Sequence, residues 1–229
     1  MQNTKNRTIG ATSTGLKAIP FFTQLTEREL DLVRSLSTEK HYPKNAVVLT
    51  EGEMGDSLYM IQSGKVKVFI GDEDGREIIL KILGPGDFFG EMSMIDKQPR
   101  SASVTTLETS AFLVLSHAAF EKAIEQAPRI ANMVMRVLAQ RIREADKKIG
   151  TLALMDVYGR VASTLLELSV YTDGKLVVAE KLSQQDIANM VGASREMVNR
   201  ILKDLSERGF ISVESKSITI HTTELPPSL

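Results

Sequence analysis

The 229-residue sequence contains no cysteine at all. A chain without thiols cannot form disulfide bridges, thiolate zinc sites or cysteine-held iron–sulfur clusters. Its three histidines, His41, His117 and His221, are far apart and show no spacing typical of metal ligands. We therefore expect no metal cofactor, and we interpret the histidines as ordinary structural residues.

The sequence also lacks an excess of basic or acidic residues. It has 28 basic and 29 acidic residues, which gives a net charge of −1. Composition alone thus argues mildly against a nucleic-acid partner, since DNA-binding domains often carry a basic excess. The sequence has neither an apolar run of membrane-spanning length nor a signal-peptide pattern, so we expect a cytoplasmic protein with no membrane partner. Motifs of serine hydrolases, zinc peptidases and P-loop enzymes are lacking, which predicts a protein that is not an enzyme.

Local patterns divide the chain into four segments. Polar residues 1–16 predict a disordered tail, and residues 17–128 carry short β-rich runs between turn signals, which is typical of an antiparallel barrel or sandwich. Residues 129–155 predict one long helix, and residues 156–229 return to short helices and end in a hairpin. Four helices are predicted outside the C-terminal motif: Glu27–Ser37, a helix that Ser116 caps and that ends near Ala127, Arg129–Met155, and Val157–Tyr171. The predicted strands are Ala46–Thr50, Ser57–Gln62, Lys65–Ile70, Glu77–Leu83, Ser101–Thr106, Ala111–Leu115, Val177–Val178, Phe210–Val213 and Ser217–Ile220.

The long helix carries one apolar stripe, with residues recurring at steps of three and four between Ile130 and Leu152. Such a stripe can pack against the chain's own barrel. It can also form a two-stranded coiled coil with a second copy of the chain. The length of the stripe favours the homodimer.

Residues 183–205 have the pattern of a helix-turn-helix. The run Ser183–Asp186 fits a capping box that opens one helix, Gly192–Ala193 supplies a tight turn, and Ser194 can cap the next helix. We therefore expect two short helices joined by that turn.

The second of these helices separates its polar and apolar sides. At about 100° per residue, its polar side chains fall within an arc of about 140°. A helix face that is merely solvated has the same pattern, but arginine can read guanine and glutamate can accept from cytosine in the major groove. The candidate DNA-binding residues are Ser183, Ser194, Arg195, Glu196, Asn199, Arg200 and Lys203.

Residues 86–102, GDFFGEMSMIDKQPRSA, have the chemistry of an anion site. Glycine lets backbone N–H groups approach an anion, Arg100 offers a bidentate fork, and Ser101 adds a hydroxyl donor. Glu91 can accept from a sugar hydroxyl. On physical grounds alone, a barrel turn with a surface Glu–Arg ion pair explains these residues equally well.

Two stretches are similar to the cyclic AMP receptor protein (catabolite activator) family. They are LSQQDIANMVGASREMVNRILKDLSERGFI at 182–211 and FGE, eight residues and RSAxV at 89–104. The resemblance covers the chain from Leu16 onward. It implies an α+β fold: an N-terminal antiparallel β-barrel of the cyclic-nucleotide-binding jelly-roll type, a long dimerisation helix and a C-terminal winged helix-turn-helix. It also implies a homodimer that binds double-stranded DNA at a palindrome of TGTGA-like half-sites, with RNA polymerase as a further partner.

The resemblance also implies a nucleotide-binding site, but it does not decide which nucleobase the site binds. Where the family reads adenine with a Thr-Ser pair, this chain has Ala145 and Asp146. Cyclic AMP is favoured by the family, while the acceptor Asp146 suits guanine as well, which keeps cyclic GMP and cyclic di-GMP as alternatives. The other alternative is a constitutive DNA-binding regulator with a vestigial or repurposed pocket. The ligand-binding residues implied are Gly90, Glu91, Met92, Arg100, Ser101, Arg141, Ala145 and Asp146.

Overall fold

The computed structural model describes residues 25–178, 182–214 and 217–222, so the predicted tail at 1–16 lies outside the described part. The described chain divides into two compact units. The first runs to Val68 and resumes over Ile82–Val137, and the second contains Phe69–Lys81 and the chain from Leu138 onward. In the described residues, no helix is both long and apolar enough to cross a membrane.

Helix α1 (Glu27–Leu36) opens the first unit with a capping box. The Thr26 N–H donates to the Glu29 carboxylate at 2.7 Å, and this bond lowers the pKa of Glu29. Leu30 and Val33 are the buried face of α1. The prediction of a helix at Glu27–Ser37 is confirmed to within one residue.

Eight strands of the first part of the chain form two four-stranded sheets with a common apolar core. One sheet has the order β1-β8-β3-β6 and the other the order β2-β7-β4-β5. Side chains from both sheets meet in the core, where Phe89 stacks on Tyr59 with ring centroids 5.1 Å apart. The strands are β1 (Thr38–Tyr42), β2 (Val47–Leu49), β3 (Ser57–Ser63), β4 (Val66–Gly71), β5 (Glu77–Leu83), β6 (Phe88–Phe89), β7 (Ser103–Thr106) and β8 (Ser110–Ser116).

Two of these strands are absent from the sequence prediction, and each has a physical reason to be missed. Strand β1 is an edge strand that pairs only with β8, and residues 38–41 are all exposed, so it lacks the apolar alternation that marks a strand. Strand β6 is only two residues long. It leads into a short helix, α2 (Glu91–Asp96), which the sequence also left unpredicted.

Two helices after the barrel agree with their predictions. Helix α3 (His117–Gln126) is capped by Ser116, whose hydroxyl accepts from the Ala119 N–H at 3.3 Å. Helix α4 spans Arg129–Leu154, one residue short of the predicted end. The early apolar residues of α4 are buried, among them Met133 and Val134.

Helix α5 (Val157–Glu167) is shorter than predicted, so the expectation of a helix to Tyr171 is wrong at its end. Ser169–Thr172 is instead strand β9, which pairs with β10 (Lys175–Val178). The cause is the two-residue turn Asp173–Gly174, whose φ values of 50° and 74° are those of a tight hairpin turn. Hairpin pairing of the β-branched and aromatic residues before it overrides helix continuation.

The rest of the second unit is a winged helix-turn-helix. Helices α6 (Gln184–Val191) and α7 (Arg195–Glu207) are followed by β11 (Ile211–Glu214) and β12 (Ser217–Ile220). Strands β9 to β12 form a sheet with the order β11-β12-β10-β9. The predicted α+β architecture, with an antiparallel jelly roll, a long helix and a winged helix-turn-helix, is thus confirmed.

Candidate nucleotide-binding and DNA-binding sites

The turn between β6 and α2 is built around Gly90. This residue has a φ of 82° and caps the N-terminus of α2. A Cβ at this position would lie 2.8 Å from the Ser57 carbonyl oxygen and 2.9 Å from Nη1 of Arg100. Only glycine therefore fits the backbone conformation and the space together.

Arg100 is almost fully buried, with 6% of its surface exposed. Its Nη1 donates to the Gly90 carbonyl at 2.5 Å, and its Nη2 donates to the Ser57 carbonyl at 3.1 Å. Burial lowers the pKa of Arg100, while Tyr59, Asp56 and Glu91 oppose that shift electrostatically. A guanidinium stays charged in proteins, so this loop holds a fixed positive charge whose desolvation an anion would offset.

Glu91 is also buried, at 3% exposure, whereas Met92 and Ser101 are exposed neighbours with a contact of 3.5 Å between Ser101 Oγ and Met92 Sδ. The structure thus brings together Gly90, Glu91, Met92, Arg100 and Ser101. The alternative of a surface Glu–Arg ion pair is wrong, because both charged side chains lie in the interior.

Three contributors to this cluster escaped the sequence analysis. They are Gly55, where a Cβ would collide with the guanidinium of Arg100, the Ser57 carbonyl, and Ser93, whose hydroxyl lies 3.5 Å from Nη1 of Arg100. A glycine in sequence indicates a turn and not which side chain packs against it, so the contact of Gly55 with Arg100 could not be predicted. A backbone carbonyl leaves no signature in sequence, so Ser57 could not have been found.

The other three predicted ligand residues lie on α4 in the second unit. Arg141 is half-buried, and Ala145 and Asp146 are exposed. On the same helix, Lys148 donates to the carbonyls of Ile79 at 2.8 Å and Leu80 at 3.3 Å. The joint role of Arg141, Ala145 and Asp146 with the Gly90–Arg100 loop stays a prediction.

Lys148 belongs to a clamp, formed with Glu144, between α4 and residues 79–81 in the middle of β5. A salt bridge of 2.6 Å between Lys81 and Glu144 lies beside its two carbonyl bonds. Burial lowers the pKa of Lys148 because it removes water from around the ammonium group, while the charge of Glu167 opposes the shift. These contacts hold the β4–β5 hairpin to α4 within the second unit.

The predicted helix-turn-helix details are present. The Ser183 hydroxyl accepts from the Asp186 N–H at 3.1 Å and the Asp186 carboxylate accepts from the Ser183 N–H at 2.8 Å, which completes the capping box. Gly192 ends α6 in the left-handed conformation, with a φ of 64°. The Ser194 hydroxyl caps α7 by accepting from the Met197 N–H at 3.2 Å.

Helix α7 has one buried and one exposed face. Val198, Ile201, Leu202 and Leu205 are the buried residues. The five polar candidates on α7 are exposed together on the other side: Arg195, Glu196, Asn199, Arg200 and Lys203.

Helix α7 is anchored by a polar network that the sequence did not predict. Tyr158 on α5 donates to the Asp204 carboxylate at 2.8 Å, and Arg208 Nη1 lies 3.3 Å from the Tyr158 hydroxyl. Burial, followed by the hydrogen bond to Asp204, raises the pKa of Tyr158 to about 12. Arg160 Nε also donates to the Val191 carbonyl at 2.8 Å, so α5 is tied to both helices of the motif.

Among the described residues, no group of three or more His, Asp or Glu side chains is placed to hold a metal ion. The candidate chemistry is that of binding: a buried cation and carboxylate in one unit, and an exposed polar helix face in the other.

Two family models match the chain. Residues 39–127 match the model of the cyclic nucleotide-binding domain, and residues 159–225 match the Crp-like helix-turn-helix domain. The first match contains the Gly90–Arg100 loop, and the second contains α6 and α7.

Curated relatives cover most of the chain. A CRP-like cAMP-activated global transcriptional regulator of Mycobacterium tuberculosis is 42% identical over 80% of this chain and 84% of its own length. The cyclic AMP receptor protein of Thermus thermophilus is 33% identical over 92% of this chain and 96% of its own length.

A solved structure with a similar fold is named for c-di-GMP, whereas the two curated relatives are named for cAMP. The c-di-GMP responsive global regulator CLP of Xanthomonas campestris has a TM-score of 0.77 and 27% sequence identity, covering 86% of this chain and 100% of that one. The matched domains, the identities over nearly full length and the shared fold agree with one another. The chain therefore belongs to the CRP-like family of cyclic-nucleotide-responsive transcriptional regulators, which are DNA-binding proteins rather than enzymes.

Proposed function

We propose that this protein is a homodimeric transcription regulator whose binding to a palindromic site of TGTGA-like half-sites is controlled by cyclic AMP. The observation that carries the proposal is the burial of Arg100 and Glu91 in one loop. A cyclic phosphate supplies the anion that a desolvated guanidinium favours, and a ribose hydroxyl can donate to the carboxylate. Gly90, Met92 and Ser101 complete this phosphate and sugar site.

On the DNA side, Arg195, Glu196 and Arg200 read base edges in the major groove. Arginine donates two hydrogen bonds to guanine, and glutamate accepts from cytosine, so a G·C-containing half-site suits the three together. Ser183 and Ser194 contact phosphates and fix the register of the helix, and Lys203 adds a further polar contact. All six side chains are exposed, which supports the assignment.

A second copy of the chain pairs along α4. Met135, Ile142 and Ile149 are exposed by 57%, 63% and 64% and are spaced by seven residues. Leu138, Ala145 and Leu152 occupy the positions between them, at alternating steps of three and four, which is the repeat of a coiled-coil seam. A two-fold symmetric dimer presents two recognition helices to the two halves of a palindrome.

The identity of the base depends on Asp146. Cyclic AMP is favoured because the curated relatives are named as cAMP-activated regulators or cAMP receptors. Cyclic GMP and cyclic di-GMP are the alternatives, because the carboxylate of Asp146 can accept from the N–H groups of guanine. Arg141 adds a phosphate contact, the protein works in the cytoplasm, and RNA polymerase is its further partner.

The second candidate is a constitutive DNA-binding regulator with a repurposed pocket. Ala145 favours it, because alanine has no side-chain group that can bind a base. The two candidates differ in whether nucleotide changes DNA affinity.

Calorimetry with cyclic AMP, cyclic GMP and cyclic di-GMP on one sample, followed by DNA-binding titrations with and without each nucleotide, tests both candidates. The proposal expects one nucleotide to bind and to change the affinity for a TGTGA palindrome at least about tenfold. DNA affinity that no nucleotide alters would favour the constitutive regulator. An Asp146→Ser variant tests the base: loss of guanine-nucleotide affinity supports the acceptor role, and unchanged selectivity refutes it.

A further inference from the structure

The apolar seam of α4 has a charged residue on each of its two sides. Met135, Ile142 and Ile149 are exposed and occupy position a of a heptad repeat, with position d three residues after each of them. The residue before each a is at position g and the residue after each d is at position e, and these two positions flank the seam. Arg141 stands at g and Asp146 stands at e. The seam therefore has a cation along one side and an anion along the other.

A parallel pair of α4 helices brings these two charges together. In a parallel two-stranded coiled coil, a residue at g lies beside the e residue of the other helix that is five positions further along. Position 141 thus lies beside position 146 of a second copy, and the two-fold axis repeats the pair. The parallel arrangement suits the proposed DNA site, because the two α7 helices must reach half-sites about 34 Å apart. An antiparallel pair would place them at opposite ends of the seam.

Arg141 and Asp146 lie at the middle of the seam, where no other charged pair competes with them. One heptad earlier and one heptad later, the residue at position e is Ala139 or Ala153. Neither alanine can form an ion pair with the g residue of a second copy. The sequence of the seam therefore offers one ion pair on each side of the dimer.

The carboxylate of Asp146 is placed to meet a second copy. It is exposed and, among the described residues, forms no ion pair within its own chain, although Arg143 lies one turn before it on α4. The two lysines that follow it have partners elsewhere. Lys147 Nζ lies 3.6 Å from the Glu167 carboxylate, and Lys148 donates to backbone carbonyls of β5.

We infer that Asp146 forms a salt bridge with the partner subunit's Arg141, twice in each dimer, and that this pair fixes the two α4 helices parallel and in register. Charged pairs at positions e and g set partner choice and orientation in coiled coils. A carboxylate has two oxygens and a guanidinium has five N–H donors, so the bridge leaves both groups with capacity for a nucleotide. The inference rests on the proposed homodimer.

Reversing the charges tests the bridge in the full chain without nucleotide, since Arg141 is also a proposed phosphate contact. Sedimentation equilibrium at low salt measures the dimer dissociation constant. Arg141→Asp and Asp146→Arg each place like charges at both bridges, so each should weaken the homodimer at least about fivefold. Arg143→Asp is the matched control, because Arg143 is exposed at position b, away from the flanks of the seam. It makes the same change of charge and should stay within about twofold of wild type.

Mixing the two single variants gives the sharper measurement. A dimer of one Arg141→Asp chain and one Asp146→Arg chain has opposite charges at both bridges, whereas each homodimer has like charges at both. Native mass spectrometry of isotopically distinguished chains should find about four fifths of all dimers mixed, rather than the half that random pairing gives. The excess should shrink at about 1 M salt, because salt screens exposed charges. A role in packing alone would give neither result.

Each result decides for or against the bridge. Single variants that dimerise as tightly as wild type, or mixed dimers at the random proportion, would refute the inference and leave the proposed homodimer standing. Weakening by the single variants that mixing does not repair would also refute it, because the two residues would then act separately. A wild-type chain that stays monomeric at micromolar concentrations would overturn the proposed homodimer and the inference together.

Discussion

At the scale of single residues, Arg100 combines burial with a charge that cannot be neutralised. Its guanidinium meets the carbonyl oxygens of Gly90 and Ser57, which are dipoles rather than counter-charges. Dipoles offset part of the cost of removing a cation from water, and a bound anion offsets more of it. The sequence could identify Arg100 by its motif, but one of the two carbonyls that hold it belongs to Ser57 on β3, 43 residues away in the chain.

Replacing Arg100 with lysine is expected to weaken nucleotide binding by at least about tenfold, because an ammonium cannot reproduce two parallel bonds to a phosphate. Calorimetry with the nucleotide that binds wild type measures the effect. Arg76→Lys is the control, since Arg76 is 75% exposed on the β4–β5 hairpin and pairs with Asp72 and Asp74. Equal affinities of the Arg100→Lys variant and wild type would contradict the role of Arg100.

Tyr158 gives a stability prediction with a defined pH window. Its folded-state pKa of about 12 lies above the ordinary value of 10.0, so its contribution is complete below pH 10 and is lost as the pH rises toward 12. The difference in unfolding free energy between wild type and Tyr158→Phe should therefore shrink by up to about 2 kcal/mol over that window. Urea titrations at pH 9 and at pH 11.5 measure it.

Tyr171→Phe serves as the control for this measurement, because Tyr171 is 76% exposed on β9. It should leave the unfolding free energy within about 0.5 kcal/mol of wild type at both pH values. A wild-type advantage over Tyr158→Phe that is the same at both pH values would refute the assignment.

At the scale of elements, the helices could be predicted from their capping residues, whereas the short strands could not be predicted. Ser116, Ser183 and Ser194 each precede a helix and each accepts the expected backbone bond. Strands β1 and β6 gave no periodic signal, because one is an exposed edge and the other has two residues. Turn chemistry was the other failure, since Asp173–Gly174 converts the end of a predicted helix into a hairpin.

The exposed seam of α4 predicts the oligomeric state. Replacing both Ile142 and Ile149 by glutamine should convert dimers to monomers at micromolar concentration. Each chain then loses two apolar side chains that the proposed dimer would bury. Analytical ultracentrifugation measures the mass. Arg143→Gln is the control, since Arg143 is exposed on α4 next to the seam and introduces the same side chain. A double variant that stays dimeric would place the dimer interface elsewhere.

At the scale of the whole molecule, the near-zero net charge means that DNA binding depends on a local patch. The proposed DNA contacts all come from residues 183–203, where three basic side chains stand against two acidic ones, so binding depends on where Arg195, Arg200 and Lys203 lie rather than on an excess of charge. Composition could not reveal this, because a sum over the chain conceals how charge is distributed. The resemblance and the capping pattern located the DNA-binding region where the total charge did not.

Coupling between the nucleotide and DNA sites must be reciprocal. If nucleotide raises the affinity for operator DNA by a given factor, DNA must raise the affinity for nucleotide by the same factor. Calorimetric titration of nucleotide into the free protein and into the protein saturated with palindromic DNA measures the second factor, and titration of DNA with and without nucleotide measures the first. A change in one affinity without the matching change in the other would show that a further equilibrium, such as dimerisation, is involved.

The clamp at Lys148 makes this lysine a chemical reporter. Acylation requires an amine that the reagent can reach. The hydrogen bonds to the carbonyls of Ile79 and Leu80 hold the Lys148 amine in a half-buried position, so we expect slower acylation there than after the hairpin has detached. The acylation rate of Lys148, read by mass spectrometry of its peptide, thus measures how often the β4–β5 hairpin detaches from α4.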